Sequence, residues 1–324
     1  MKNDFSWIIS PCAKTSFLQD YFEQNILHIK RNDLHSFDQC SSLDIVAAWL
    51  ANAVDPVPYQ VVLEDNTTTL AAARYMHIRA LPGNVRLNYG IDIETVFRLF
   101  SEGKVNIAFK NIQGQLPMLD DLTAALTEEL NCSCESQLYF TPPTGVPTYP
   151  RYETADMFIL QITGSRKWKI YQGPISLPLP SQANQPFDLS QQSLIHQCIT
   201  QPGDTLYIPR GFIWESFPLE QTAVFAAVKF TFPTYLRLIL DILKDIGNTA
   251  GTLRETAFLN DLEDNNSLKK AANLLGEKIE TQFNTTTFDN LSGKRRPPHN
   301  RPSSCDPQTL KAMLTALASL HAND

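Results

Sequence analysis

Short apolar segments follow one another closely in the middle of the chain, from about residue 136 onward. Each has the length and the β-branched and aromatic content of a strand, and Pro, Gly or Asp separates it from the next. The segments are QLYFTP, DMFILQIT, RKWKIYQ, SLIHQCITQ, DTLYIP and AVFAAVKFTF. This succession predicts an all-β barrel or sandwich.

The chain before these strands mixes helical and extended patterns. Apolar residues at helical spacing predict helices in SFLQDYFEQNILHI, LDIVAAWLANAV, DIETVFRLFSEG and LPMLDDLTAALTEEL. Ser42 is a candidate N-cap for the second helix, and Gly103 a C-cap for the third. The segments YQVVLED and VNIAFKNI read as strands.

Helical patterns return after the last strand, in YLRLILDILKDIG, TLRETAFLNDLED and SLKKAANLLGEKIETQF. The basic, Pro-rich stretch SGKRRPPHNRPSS reads as a linker, and Asp306 can cap a last amphipathic helix. We therefore predict four parts. They are a helical and mixed segment at 1–84, the β domain at 85–234, a helical region at 235–292, and the linker with its terminal helix at 293–324.

Charge and composition narrow the class of protein. The chain has 27 Lys and Arg against 34 Asp and Glu, a net charge of −7, which disfavours binding to nucleic acid. No apolar stretch reaches the roughly 18 residues of a membrane span, and charges and Pro interrupt the first twenty positions. Six scattered cysteines without a CxxC pair are typical of reduced thiols. We predict a cytoplasmic protein without a membrane anchor.

Three fragments, in this order and spacing, resemble one known family. They are QLYFTPPTG, DMFILQITGSRKWKIY and QPGDTLYIPRGFIWES, and FLQDYFEQNILHIKR resembles the family's entry segment. Together they look like the JmjC, or cupin-like, ribosomal-oxygenase family of 2-oxoglutarate-dependent hydroxylases, over most of residues 5–235. The resemblance implies an α+β fold. A JmjC-type double-stranded β-helix, or cupin-like barrel, would be preceded by a mixed segment and followed by a helical region.

The resemblance also implies where iron would bind. The family holds Fe(II) with His-x-Asp on one strand and a distal His on another, and these positions fall on Arg151, Glu153 and Trp214. No His in the chain is followed two residues later by a carboxylate. Residues 151 and 153 share one face of a strand, so Arg151 can pair with Glu153 while Trp214 fills the remaining volume. The alternative is that the register slips and Arg151 is an ordinary surface residue.

A second family feature is a cation that binds the C5 carboxylate of 2-oxoglutarate. The resemblance assigns it to Arg166, whose guanidinium suits carboxylate capture, with Tyr139 and Thr141 flanking the same pocket. Alternatively, Arg166 is a solvated cation at a strand end, and Tyr139 and Thr141 are barrel packing.

Another metal site is conceivable from the residues alone. Cys132 and Cys134, like His196 and Cys198, are same-face pairs if extended, and together they would form a Cys₃His zinc set. The spacing matches no known zinc module, and such residues on strands are usually buried packing.

Two functions remain open. The first is a metal-free, JmjC-like pseudo-oxygenase without cofactor that serves as a peptide-binding, protein-binding or accessory subunit. The second is an active Fe(II)/2-oxoglutarate-dependent protein or peptide hydroxylase of the ribosomal-oxygenase type. The absence of the iron ligands favours the first. We predict a basic protein segment or peptide across the barrel mouth as partner, and a homodimer formed through the C-terminal helices.

Overall fold

The computed structural model describes residues 4–40, 61–83, 85–110, 112, 116–143, 145–219 and 221–254, together with positions 273 and 276. The chain divides into two compact units, Met1–Phe232 and Pro233–Asp324. No helix among these residues combines the length and apolar content needed to cross a membrane.

In its described part, the first unit contains the α-helices α1 (Phe5–Ile9), α2 (Lys14–Ser16), α3 (Ile93–Ser101) and α4 (Pro117–Leu130). Its strands are β1 (Leu27–Ile29), β2 (Val61–Glu64), β3 (Met76–Leu81), β4 (Val85–Ile91), β5 (Asn106–Phe109), β6 (Ser133–Thr141), β7 (Arg151–Tyr152), β8 (Asp156–Thr163), β9 (Arg166–Tyr171), β10 (Leu194–Thr200), β11 (Thr205–Ile208), β12 (Ile213–Pro218) and β13 (Ala223–Thr231). The second unit contains α5 (Tyr235–Thr249).

Two antiparallel sheets form the barrel. The larger has seven strands in the order β1-β11-β8-β13-β6-β5-β2, and the smaller has four in the order β10-β9-β12-β7. Strands β3 and β4 pair separately as a hairpin. With helices added, this is the α+β double-stranded β-helix that the sequence predicts.

Strand β8 shows why the sequence of a strand in the larger sheet can be a continuous apolar run. Met157 and Ile159 belong to the apolar cluster that fills the space between the sheets, where they join Trp168 of the smaller sheet. Phe158 and Leu160 point to the opposite face and pack into a second cluster with the N-terminal helices. Since both faces of β8 are buried, polar alternation is absent from its sequence.

The edge strands of the larger sheet come from the N-terminal part of the chain. The segment SFLQDYFEQNILHI does not form one helix: a π-helical turn covers Phe17–Tyr21, and Leu27–Ile29 forms β1. Glu23 has a positive φ of 58°, which ends the helical path, and β1 then pairs with β11. Backbone pairing at the sheet edge therefore overrides the helical spacing of the side chains.

Other predicted elements agree with the structure. Helix α3 ends just before Gly103, whose φ of 69° suits a glycine C-cap. Thr234 caps α5, because its Oγ accepts a hydrogen bond from the backbone N–H of Arg237 at 3.2 Å. The predicted helix LDIVAAWLANAV, the terminal linker and, apart from positions 273 and 276, the predicted helices after residue 254 lie outside the described residues.

Candidate functional site

Arg151 lies inside the barrel, directly across from Trp214. Strands β7 and β12 pair so that these two residues are register partners. The guanidinium carbon lies 4.5 Å from the Trp214 ring centroid and 4.8 Å from that of Tyr149. The side chain of Arg151 is 13% exposed, and Trp214 is 2% exposed. Arg151 is therefore an interior cation on two aromatic faces, and not a surface strand residue.

The principal partner of Arg151 is Glu64, a residue that the sequence reasoning missed. Arg151 Nη1 donates to Glu64 Oε2 at 2.9 Å, and Lys110 Nζ donates to Oε1 at 3.3 Å. The Glu64 side chain is 1% exposed. Glu64 ends β2 at one edge of the larger sheet, whereas Arg151 begins β7 at an edge of the smaller sheet. This ion pair therefore joins the two sheets along one seam of the barrel, which we call the arginine seam.

Glu153 belongs to the same charge cluster but binds another cation more closely. Its Oε2 accepts a hydrogen bond from Lys229 Nζ at 2.8 Å, while its Oε1 lies 3.8 Å from Arg151 Nε. The predicted pair between Arg151 and Glu153 is present, but it is the longer of the two contacts of Glu153. Both carboxylate oxygens thus already face cations from the protein.

These contacts set the protonation states of the cluster. Burial acts to lower the pKa of Arg151, but the charge of Glu64 outweighs it and raises that pKa. Burial acts to raise the pKa of Glu64, yet Arg151 and Lys110 hold it below its ordinary value. For Glu153, Lys229 and then Arg151 overcome the effect of burial and lower the pKa. All of these groups are therefore charged at neutral pH.

Trp214 contributes bulk and an unused donor. Its ring centroid lies 5.6 Å from that of Trp168, which in turn packs edge-on against Phe225. The indole Nε1 of Trp214 is buried and has no hydrogen-bond partner among the described residues. An indole N–H can only donate, so this atom offers nothing to a cation.

Arg166 is fully buried and has only neutral hydrogen-bond partners. Its Nε and Nη2 donate to Ser216 Oγ at 3.1 and 2.9 Å, and its Nη1 donates to Thr141 Oγ1. None of the described carboxylates forms an ion pair with it. Burial and then the charge of Arg151 lower the pKa of Arg166 to about 9. The alternative of a solvated strand-end cation is therefore wrong.

The other two residues predicted near 2-oxoglutarate have different surroundings. Thr141 contacts Arg166 directly. Tyr139 instead stacks on Phe225, with ring centroids 4.8 Å apart, and donates its hydroxyl to Gln137 Oε1 at 2.9 Å. Tyr139 thus acts as barrel packing, with its polar end satisfied inside the protein.

The four residues of the predicted zinc set do not converge. Cys132 and Cys134 lie together, with their sulfurs 3.4 Å apart. His196 and Cys198 group instead with His28. The reason is topological: Cys134 is on β6 in the larger sheet, whereas His196 and Cys198 are on β10 at the edge of the smaller sheet.

Fe(II) does not fit the three positions that the resemblance assigns to it. Two neutral imidazoles and a carboxylate would bind one face of the ion, but Arg151 is a cation without a lone pair. Trp214 presents only a donor, and both oxygens of Glu153 already lie near Arg151 or Lys229. A dication here would meet a guanidinium and an indole where the family has two imidazoles.

The chain is similar to several known proteins. The JmjC domain family matches residues 110–238. Curated relatives include the bifunctional lysine-specific demethylase and histidyl-hydroxylase NO66 of Drosophila persimilis, 26% identical over 220 residues, and that of Culex quinquefasciatus, 27% identical over 222 residues. Each alignment covers 66% of this chain, but only 29% and 32% of the respective relatives, so the chain spans about three tenths of their length.

Solved structures that resemble the chain include the ribosomal oxygenase YcfD of Escherichia coli. One structure of that protein has a TM-score of 0.46 at 16% identity, covering 95% of this chain and 66% of the other. Another, in complex with cobalt and 2-oxoglutarate, also has a TM-score of 0.46 at 16% identity, covering 96% of this chain and 67% of the other. Residues 110–238 thus match the JmjC domain family, and the similarity to the curated relatives extends over about two thirds of this chain.

Proposed function

We propose that this chain is a JmjC-like pseudo-oxygenase that holds no metal at the positions of the family's iron ligands and acts as a peptide-binding or accessory protein. One observation carries the proposal: a guanidinium, paired with Glu64 at 2.9 Å, occupies one of the positions assigned to the iron ligands. The ion pair with Glu64 therefore holds a positive charge where the resemblance places a metal ligand. Such a protein retains the barrel fold but does not carry out iron-dependent hydroxylation.

The partner that we propose is a basic protein segment laid across the barrel mouth. The net charge of −7 favours such a partner through complementary charge. We also propose a homodimer through the C-terminal helices. Helix α5 exposes 84% of Tyr235, 46% of Leu236 and 48% of Leu240, an apolar surface of the kind that pairs with another helix.

An active Fe(II)/2-oxoglutarate-dependent hydroxylase is the second candidate. The observation that favours it is Arg166, a fully buried guanidinium without a carboxylate partner among the described residues. A buried charge of this kind is costly unless an anion pairs with it, and a ligand carboxylate would supply one. The names of the curated relatives also describe demethylase and hydroxylase activities.

Binding and turnover on one set of peptides separate the two candidates. The full chain is tested against a library of Lys- and Arg-rich peptides, with EDTA or with Fe(II) and 2-oxoglutarate. The accessory function predicts saturable binding that EDTA leaves unchanged and that weakens as salt rises. Succinate release coupled to a peptide mass gain of one oxygen would instead establish the hydroxylase.

Two variants locate the binding surface. Glu153→Gln removes the charge of a carboxylate whose side chain is 23% exposed, and a second variant deletes residues 293–324. If the basic segment lies over Glu153, binding should be weaker in the first variant and unchanged in the second. Binding lost only with the deletion would rule out the barrel mouth.

A further inference from the structure

The two sheets of the barrel meet along a second seam, on the side opposite the arginine seam. Here β1 is the edge strand of the larger sheet and β10 is the edge strand of the smaller sheet. His28 comes from β1, and His196 and Cys198 come from β10. One potential ligand atom from each of the three side chains lies within 4.8 Å of the other two. We call this group the histidine seam.

The strand pattern of β10 turns two of these residues inward. Ile195 and Ile199 are exposed at 43% and 47%, whereas His196 and Cys198 between them are half-buried. Side chains two apart on a strand share a face, so the imidazole and the thiol point to the same side. That side meets His28 across the seam.

Two hydrogen-bonding details indicate a site that is prepared for a ligand. His196 Nε2 is buried and has no hydrogen-bond partner among the described residues, a costly state for a polar atom. His28 Nε2 lies 3.1 Å from Asp204 Oδ2. The tautomer that donates this N–H keeps its lone pair on Nδ1. A carboxylate that orients an imidazole in this way is a recurring feature around metal-binding histidines.

Asp204 is itself held firmly in place. Its Oδ1 accepts the backbone N–H of Arg31 at 3.1 Å, and its Oδ2 accepts that of Gln201 at 3.0 Å. The side chain of Asp204 is 4% exposed and that of His28 is 8% exposed. The orientation of His28 is therefore fixed by a rigid, buried neighbour.

We propose that His28, His196 and Cys198 bind a zinc ion at the histidine seam. Two imidazole nitrogens and one thiolate are donors that zinc prefers, and a three-residue set leaves a fourth position for water. Zinc bonds of about 2.0–2.3 Å place tetrahedral donors roughly 3.5 Å apart. Donors within 4.8 Å of one another need only small side-chain adjustments to reach this spacing. The thiol proton leaves when the metal binds.

This site is independent of the arginine seam. The strand β10 lies at one edge of the smaller sheet and β7 at the other, with β9 and β12 between them. The zinc ion would join the sheet edges at the histidine seam, as Arg151 and Glu64 join them at the arginine seam. Failure of the proposed pseudo-oxygenase function would leave the zinc proposal unaffected, and the reverse also holds.

The test uses the full chain, stripped of metal with EDTA and dialysed. Zn²⁺ binding is measured by competition with a chromogenic chelator, and Co²⁺ is used separately as a spectroscopic probe. We expect one tightly bound equivalent of Zn²⁺ for the wild-type protein. We also expect a near-ultraviolet thiolate-to-cobalt charge-transfer band, which requires a cysteine ligand.

Three variants assign the ligands. Cys198→Ser should abolish the cobalt band, and both Cys198→Ser and His196→Gln should lose stoichiometric zinc. Cys134→Ser is the matched control, because Cys134 lies beside a second thiol, Cys132, at 3.4 Å and outside the histidine seam. Circular dichroism of each metal-free variant checks that it is folded.

Several results would overturn the proposal. No stoichiometric zinc in the wild-type protein, or a cobalt complex without a thiolate band, would do so without any mutation. Zinc retained in folded Cys198→Ser, or lost only in Cys134→Ser, would assign the metal to other residues.

Discussion

Arg151 brings a positive charge into a part of the barrel that contains two carboxylates and two aromatic rings. Glu64 is nearly inaccessible to solvent, with a side chain 1% exposed, so its ionised form depends on Arg151 and Lys110. A buried ion pair adds little stability over an apolar replacement, but removing one partner leaves a charge uncompensated. The strength of this pair is therefore best measured by changing each partner alone and then both.

A double-mutant cycle tests the Arg151–Glu64 pair. We expect Arg151→Met to lower the free energy of unfolding by about 3–5 kcal/mol, since it leaves a buried carboxylate. The double variant Arg151→Met/Glu64→Gln should be destabilised by less than the sum of the single variants. Urea denaturation monitored by circular dichroism gives these values.

The exposed pair Arg98–Glu102, at 3.6 Å on α3, serves as the control cycle. Its side chains are 57% and 37% exposed, so we expect a coupling of only about 0.3–0.5 kcal/mol. Equal coupling energies in the two cycles would mean that Arg151 and Glu64 behave as a surface pair, contrary to the structure.

Trp214 should be a main contributor to the stability of the barrel interior. Replacing it by Ala removes a 2% exposed indole that packs on Trp168 and Arg151, and we expect a cost of about 3–5 kcal/mol. Phe97→Ala is the control, because Phe97 on α3 is 53% exposed and should change stability by no more than about 0.5 kcal/mol. Similar denaturation midpoints for both variants would place Trp214 outside the core.

At this scale the sequence predicted part of the candidate site. The resemblance assigned Arg151 and Trp214 to one site, and they are strand partners. The two-residue spacing of Arg151 and Glu153 predicted their ion pair, which the structure has at 3.8 Å. Glu64 and Lys229 could not be found in this way. They reach the cluster through strand pairing and sheet packing across long stretches of chain, and no local pattern encodes that placement.

Among the secondary-structure elements, two turns that contain a glycine with a left-handed backbone constrain the sequence to different degrees. Gly164, between β8 and β9, has a φ of 61°, and a Cβ there would lie 2.2 Å from the backbone oxygen of Thr222. Gly83, between β3 and β4, has a φ of 81° but no atom within 4 Å of such a Cβ. The two glycines therefore differ in steric space and share a left-handed backbone.

This difference predicts unequal effects of substitution by alanine. Gly83→Ala should lower the free energy of unfolding by about 1–2 kcal/mol, the penalty for an L-amino acid in the left-handed backbone conformation. Gly164→Ala should lower the free energy of unfolding by clearly more, because the backbone at Thr222, just before β13, must also move. Melting temperatures of the two variants give the comparison, and an equal loss would show that the contact at Thr222 relaxes freely.

Asp156, at the start of β8, has a buried carboxyl group whose effect on stability depends on pH. Burial raises the pKa of Asp156 from 3.8 to about 6, against a hydrogen bond from the Tyr207 hydroxyl at 2.6 Å. The folded state therefore binds the proton more tightly than the unfolded state. The contribution of Asp156 to the free energy of unfolding is therefore most favourable below about pH 3.8. It becomes less favourable as the pH rises from about 3.8 to about 6.

Asp156→Asn keeps the acceptor for Tyr207 and removes the charge. With a pKa of 3.8 in the unfolded chain and about 6 in the folded one, the ionised Asp156 destabilises the folded state by about 3 kcal/mol at pH 7. The variant should therefore gain stability relative to the wild type at pH 7, and this gain should shrink toward pH 4. Denaturant titrations at both pH values measure it, and a gain that is independent of pH would contradict the raised pKa.

Prediction of elements succeeded where turn residues enclose an apolar run, as for β8, β11 and β13. It failed where backbone pairing competes with side-chain spacing. The residues of β1 follow a helical pattern in the sequence but pair with β11 at the sheet edge. The hairpin of β3 and β4 was also missed, and β12 was recognised only as part of the family resemblance.

At the scale of the whole molecule, the barrel has two seams of different chemistry. The arginine seam is closed by ion pairs between Glu64, Arg151, Glu153 and Lys229. The histidine seam brings together His28, His196 and Cys198. The sequence predicted the fold class from the resemblance and from the strand succession. The meeting of edge strands at each seam depends on the closed topology, and so required the structure.

Iron content after reconstitution shows whether positions 151, 153 and 214 can hold a metal ion. The full chain, carrying Cys198→Ser to remove the proposed zinc site, is incubated without oxygen with excess Fe(II) and 2-oxoglutarate and then desalted. We expect no stoichiometric iron, because Arg151 and Trp214 offer the ion no lone pair. Near one equivalent of iron per chain, lost when Glu153 is changed to Gln, would contradict this expectation.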